Sequence, residues 1–159
     1  LDGQTQRILE CYGSMVREYK NVMTGETVNV FVVSGPRGPI AVHTPEVCYS
    51  SSGTEPAGPR QATPIRNGDR TDNLWKVLFR APGENDSIGF EVWYGWSDGG
   101  TWQAAEFPRA WLTDSLYKIQ AAGPPAATGE KTSPVEDFLQ QFLPELNEAA
   151  FNRRKQTPP

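Results

Sequence analysis

His43 and Cys48 stand five positions apart in the run His43-Thr44-Pro45-Glu46-Val47-Cys48-Tyr49; they are the chain's only histidine and one of its two cysteines. These residue types suit nucleophilic chemistry, in which a thiolate attacks an electrophilic carbon and an imidazole accepts the proton. Thr44 suits a helix N-cap, Pro45 the first helical position and Glu46 the first turn, so a short helix is expected with Cys48 one turn inside it. Backbone N–H groups and the helix dipole favour a thiolate at such a place, and Glu46 opposes that effect. One reading is therefore a thiol hydrolase or transferase with Cys48 as nucleophile and His43 as base. The other is that Cys48 packs as a small hydrophobe or pairs with Cys11, while His43 satisfies local backbone groups. A Cys11–Cys48 bridge would contribute about 3–4 kcal/mol in an oxidising compartment. A spacing of five can bring two side chains together on a turn, and it can equally point them apart.

Other chemistries find less support. Zinc needs three or four Cys, His or carboxylate ligands, and one histidine with two separated cysteines does not supply them. Gly95, Gly99 and Gly100 flank a turn between aromatic segments and lack the strand–loop–helix context of a phosphate cradle, so no cofactor is expected. Glu91, Asp98 and Glu106 near the aromatic segments could be drafted as a glycosidase pair, a weak signal without a separation. Trp93, Trp96, Trp102 and Trp111 could stack on sugar rings, although aromatic residues more often fill a core; Trp102, just past a glycine turn, is the one most expected to be exposed. The net charge of −4 argues against a nucleic-acid surface.

The 159 residues fit one domain, expected to span 1–151. The basic run Arg153-Arg154-Lys155 and the closing prolines form a solvated tail over 152–159. No apolar stretch reaches the roughly 20 residues that span a bilayer. The chain begins at Leu1, which leaves room for a leader or anchor upstream.

The elements that must position the motif follow from periodicity. Met15 to Val22 and the β-branched run Thr27 to Val33 flank a Gly25 turn and predict a hairpin. Gly35 to Pro39 reads as a loop, with Ile40 to Val42 as a brief resumption of strand before the motif. Ser50 to Asp72 shows almost no periodicity and reads as a long excursion. Asn73 to Ala81 and Ser87 to Ser97 form an aromatic hairpin whose two-residue period puts Trp93 and Trp96 on opposite faces. Pro108 to Leu116 suits a helix and Leu116 to Ala121 a last strand. Ser133-Pro134-Val135-Glu136 is a capping box opening a helix with Val135, Phe138, Leu139, Phe142, Leu143 and Leu146 on one side, which Pro144 should kink or interrupt. The expected class is α+β, an antiparallel sheet of about five strands with helices packed on it, including this C-terminal amphipathic helix.

The run from Gly35 to Tyr49, followed by Phe90-Glu91-Val92-Trp93-Tyr94-Gly95-Trp96-Ser97-Asp98-Gly99-Gly100-Thr101-Trp102, resembles the exosortase-associated family named for methanolan (exopolysaccharide) biosynthesis. The resemblance covers most of the chain: a hydrophobic strand leading into a His-x-Pro-x-x-Cys motif, an aromatic strand pair and a C-terminal helix. It implies an extracytoplasmic accessory domain tethered to the membrane by a segment outside this sequence. Its implied partners are a membrane exosortase or a protein sorted by it, and a polysaccharide is a further candidate. By the same resemblance His43 and Cys48 carry the family signature, while Cys11 falls in no family motif; Glu46, Tyr49, Trp93, Trp96 and Trp102 are the candidate binding residues of this chain. One departure is Gly53-Thr54, where family members carry an aromatic after the glycine. The resemblance supplies no biochemical activity.

Overall fold

The computed structural model describes residues 10–50, 53–80 and 87–152. Six strands form one antiparallel sheet: β1 (Gly13–Lys20), β2 (Thr27–Pro36), β3 (Gln61–Asn67), β4 (Arg70–Arg80), β5 (Ile88–Ser97) and β6 (Ser115–Gly123), ordered β1-β2-β6-β5-β4-β3. Three helices accompany them: α1 (Arg37–Val42), α2 (Pro45–Ser50) and α3 (Pro134–Asn147). The α+β class agrees with expectation; the sheet has six strands where about five were expected.

The extra strand is β3, inside the stretch read as an excursion. Only Ile65 is buried along it, and Pro64 is tolerated because β3 is a sheet edge. Asn67-Gly68-Asp69-Arg70 closes the β3–β4 hairpin with Gly68 at φ 59°, a positive φ at the first loop position as type II′ turns require. The β1–β2 hairpin forms as predicted. Its turn is stapled by the Asn21 side chain, which accepts the Met23 and Thr24 N–H groups at 2.9 and 3.3 Å.

Strand alternation gives the sheet two cores. On one face Val28, Val30, Leu74, Trp93 and Ile119 meet Val135, Leu139 and Leu143 of α3. On the other, Val33, Val77, Phe79, Val92, Tyr94, Trp96 and Leu116 meet Ile40 and Ala41 of α1. Trp93 and Trp96 therefore do lie on opposite faces, and both are buried because both faces are covered.

Two local expectations change. Residues 37–42 are helix α1, where loop and strand were expected. Pro39 falls in its first turn, where a missing N–H costs nothing, and the Trp96 indole donates to Ile40 O at 3.2 Å, tying the helix to the sheet. The Pro108 helix is a single 3-10 turn, Pro108–Ala110.

At α3 the Ser133 hydroxyl accepts the Glu136 N–H at 3.1 Å, with Pro134 in the first turn. Pro144 does not interrupt the helix, which runs on to Asn147 before a π turn, Glu148–Asn152. Pro144 leaves Gln140 O without its helical donor, and the Asn67 amide from the β3–β4 turn, oriented to satisfy both groups, supplies one at 2.6 Å. Among the described residues no helix is long and apolar enough to cross a membrane. The basic run Arg153-Arg154-Lys155 and the rest of the tail lie outside the described residues.

Candidate functional site

The His43–Tyr49 motif lies over the face of the sheet opposite α3. Helix α2 forms where the Thr44-Pro45-Glu46 pattern predicts, and the Cys48 N–H donates to Thr44 O at 3.2 Å, which puts Cys48 one turn in. Pro45 is buried, Tyr49 is half-buried, and Val47 and Cys48 are exposed. Tyr49 packs against the stacked rings of Phe79 and Phe90, with centroids 5.0 and 5.2 Å away. Cys11 and Cys48 are both thiols.

Polar groups rising from the sheet hold the motif from beneath. The Lys118 ammonium, on β6, donates to His43 O at the end of α1. Tyr94 Oη, on β5, donates to Glu46 Oε1 at 2.7 Å and accepts from Arg60 at 3.0 Å. Arg60 also pairs with Glu106, comes within 3.7 Å of Glu46 Oε1, and stacks 4.5 Å above the Trp75 ring. Glu46 Oε2 is buried and has no hydrogen-bond partner among the described residues.

These placements change the acid–base behaviour of the groups beneath the motif. Burial pulls Lys118 down from 10.5 to about 8, and the negative charges of Cys48 and Glu46 partly offset it. Burial pushes the Tyr94 phenol up, and its bond to Glu46, which needs the proton, adds to that; Arg60 works the other way. Tyr49 is raised as well, by burial first, against a hydrogen bond from Gln120 that favours the phenolate.

The structure thus brings Glu46, Cys48 and Tyr49 together over Lys118, Gln120 and Tyr94, while the hydrogen bond it gives His43 runs through the main-chain carbonyl and not the ring. Of the four tryptophans considered for sugar stacking, three are enclosed by protein and Trp111 is half-buried. Trp93, Trp96 and Trp102 are 0%, 1% and 1% exposed. Their indole N–H groups are spent on Glu91 at 2.7 Å, Ile40 O at 3.2 Å and Asn147 Oδ1 at 2.9 Å. Trp102 is a core residue, contrary to the expectation of exposure, because the glycine turn delivers it inward against Phe151. Glu91 and Glu106 do not pair. Glu91 is buried on the α3 face with Lys76, and Glu106 lies with Arg60 on the opposite face. Among the described residues no group of three or more His, Cys, Asp or Glu is placed to hold a metal ion.

Sequence reasoning missed Lys118, Tyr94, Arg60 and Gln120. A signal existed for Lys118 and Gln120: they share parity with Leu116 and Ala122, so they occupy inward positions of an otherwise apolar strand. No family model, curated protein or solved structure matches this chain.

Proposed function

We propose that this chain is an accessory domain of an exosortase and exopolysaccharide system. On this reading it stands on the extracytoplasmic side, tethered to the membrane, and works by contact with the membrane exosortase or a sorted protein. The observation that carries the reading is the construction of the motif. Buried polar ties fix α1 and α2 on the sheet, while Val42 and Val47 remain 50% and 64% exposed beside Cys48. Apolar side chains held outward on a rigid support suit a protein contact. The test is co-purification with a co-expressed exosortase: Val47→Asp, at an exposed position, is expected to abolish it without changing thermal stability, and full retention sinks the contact surface. A glycan partner would bind elsewhere than at Trp93, Trp96 or Trp102, and titration with the polysaccharide in the V47D protein separates the two.

A second reading is favoured by the exposure of Cys48 and its electrostatic coupling to Lys118. Here the chain is a thiol enzyme of the same pathway, with Cys48 as nucleophile and His43 as base. The sulfur adds to an acyl carbonyl, the leaving group departs with a proton, and water or an amine releases the thioester. Iodoacetamide modification of Cys48 from pH 5 to 9 in a Cys11→Ser background tests it, and a thiol unreactive until the protein unfolds ends it.

A further inference from the structure

The sheet has two outer strands, and they are finished differently. Strand β3 is seven residues long, carries Pro64, which has no N–H to give, and meets α3 through the Asn67 amide. Strand β1, on the opposite edge, runs eight residues without a proline and keeps an unbroken register with β2 from Gly13↔Ser34 to Lys20↔Thr27. The Asn21 N–H donates to Glu26 O at 2.8 Å. By the alternation of an antiparallel ladder, the main chain at the odd positions of β1 therefore faces β2, and that of Ser14, Val16, Glu18 and Lys20 faces outward. Among the described residues one donor reaches this outward row, the Arg17 guanidinium, which bonds Val16 O at 3.2 Å.

The side chains along this edge are unusually apolar for a surface. Val16 is 49% exposed, and Tyr12, Tyr19, Val22 and Met23 are exposed on the same hairpin. These are five of the eleven exposed large apolar side chains among the described residues, so the exposure is concentrated at the β1 edge. A regular strand with a free row of N–H and C=O groups and an apolar flank is a template for another strand.

We infer that β1 pairs antiparallel with β1 of a second copy of this chain, across a two-fold axis at Val16. Such an axis keeps each face of the sheet continuous from one copy to the next, so one residue must lie opposite itself. Overlap of Gly13–Lys20 with its copy is fullest when that residue is one of the two at its middle, Val16 or Arg17. At Arg17 the axis would set two guanidinium groups against each other, whereas at Val16 it sets valine on valine. The Val16 register also places Arg17 opposite Met15 of the second copy, Glu18 opposite Ser14, and Tyr19 over the bare backbone of Gly13, with no like charges opposed. Val16 then exchanges main-chain hydrogen bonds with its own copy, and Ser14 with Glu18, so outward groups meet outward groups throughout. Strand pairing of this length makes a small interface, and a Kd in the micromolar range is expected. The contact uses the β1 edge and is independent of the Val42 and Val47 surface proposed above.

The experiment is sedimentation equilibrium of the full chain from micromolar to submillimolar concentration. A monomer–dimer equilibrium is expected, which Val16→Lys weakens at least about tenfold at unchanged Tm, because position 16 is half exposed and its N–H gives no bond to β2. A wild type that stays monomeric throughout overturns the inference. A dimer that persists in V16K, or that Val47→Asp dissolves in its place, belongs to another surface and overturns it as well. Cross-linking reads the register and decides where V16K does not fold. In a Cys11→Ser, Cys48→Ser background, Val16→Cys should oxidise to a disulfide-linked dimer at least about tenfold faster than Arg17→Cys, since only the residue on the axis meets its own copy with Cα atoms about 5.5 Å apart. Equal or faster linking through Arg17→Cys overturns the Val16 axis.

Discussion

Replacing Lys118 with methionine should change how stability depends on pH, with a sign and a size that follow from its burial. In the folded protein Lys118 loses its proton at about 8, against 10.5 for an ordinary lysine. Between those values the unfolded chain holds a proton that the folded chain does not, so stability rises with pH through this window. Stability contributed by neutral Lys118 is complete above 10.5 and is lost as the pH falls through about 8. The gap corresponds to about 3 kcal/mol over the whole window, of which about 1 kcal/mol falls between pH 7 and pH 9. Tyr49 and Tyr94, both raised in the folded state, act oppositely above about pH 10, where the unfolded chain ionises first, so the comparison stops at pH 9. The assay is urea unfolding of wild type and Lys118→Met at pH 7, 8 and 9. The difference in unfolding free energy, wild type minus variant, should climb by about 1 kcal/mol whatever its starting value. A difference flat in pH would refute the claim that Lys118 is buried as a charge-sensitive group.

Three further outcomes are expected. Trp102→Phe removes the donor to Asn147 Oδ1, and Asn147 Nδ2 already has no partner among the described residues, so a buried amide is left unsatisfied at about 1–3 kcal/mol beyond the lost packing; Asn147→Leu in the same protein should recover part of the loss of Tm, and no recovery would contradict the account. Gly95→Ala places a Cβ 2.6 Å from Leu74 Cδ2 and 3.0 Å from the main-chain Gln103 O, so overpacking of about 1–3 kcal/mol should lower Tm by several degrees, and a neutral result would mean that the 103 segment yields freely. Tyr94→Phe deprives Glu46 of its 2.7 Å donor and should speed hydrogen exchange of the Cys48 amide while leaving the β2–β6 ladder protected; equal exchange in both proteins would show that α2 does not depend on that tie.

Elements that carry their own period were legible from the chain. Val135, Leu139 and Leu143 fall on one helical face, and Phe90, Val92, Tyr94 and Trp96 alternate along one strand, because each pattern reports a single buried side. What escaped had little apolar content to betray it. Strand β3 buries one isoleucine at a sheet edge, although Asn67-Gly68 was a hairpin signal in plain view. Helix α1 spans six residues, two of them Gly38 and Pro39, and owes its form to the Trp96 indole and Lys118, which lie 56 and 75 positions from their acceptors. Local propensity has no access to such ties.

The candidate site divides along the same line. Cys48, Glu46 and Tyr49 lie on one short helix and could be named together, whereas Lys118, Tyr94 and Arg60 reach them only through the order of the strands. The buried charges show why that order matters. Asp72 accepts from the Trp102 N–H, Glu91 accepts from the Ser133 hydroxyl, and Lys118 donates to the His43 carbonyl, so each meets a segment that leaves the sheet and returns to it. An apolar side chain could fill each of these places at lower desolvation cost, but it would accept many registers of the returning segment, whereas a hydrogen-bonding group accepts one. At Asp72 and Glu91 that directional role comes with a neutralising partner, and the account closes there. At Lys118 the direction is set but, among the described residues, no ion pair neutralises the charge, and the cost of burial shows as a lysine pulled well below its ordinary value.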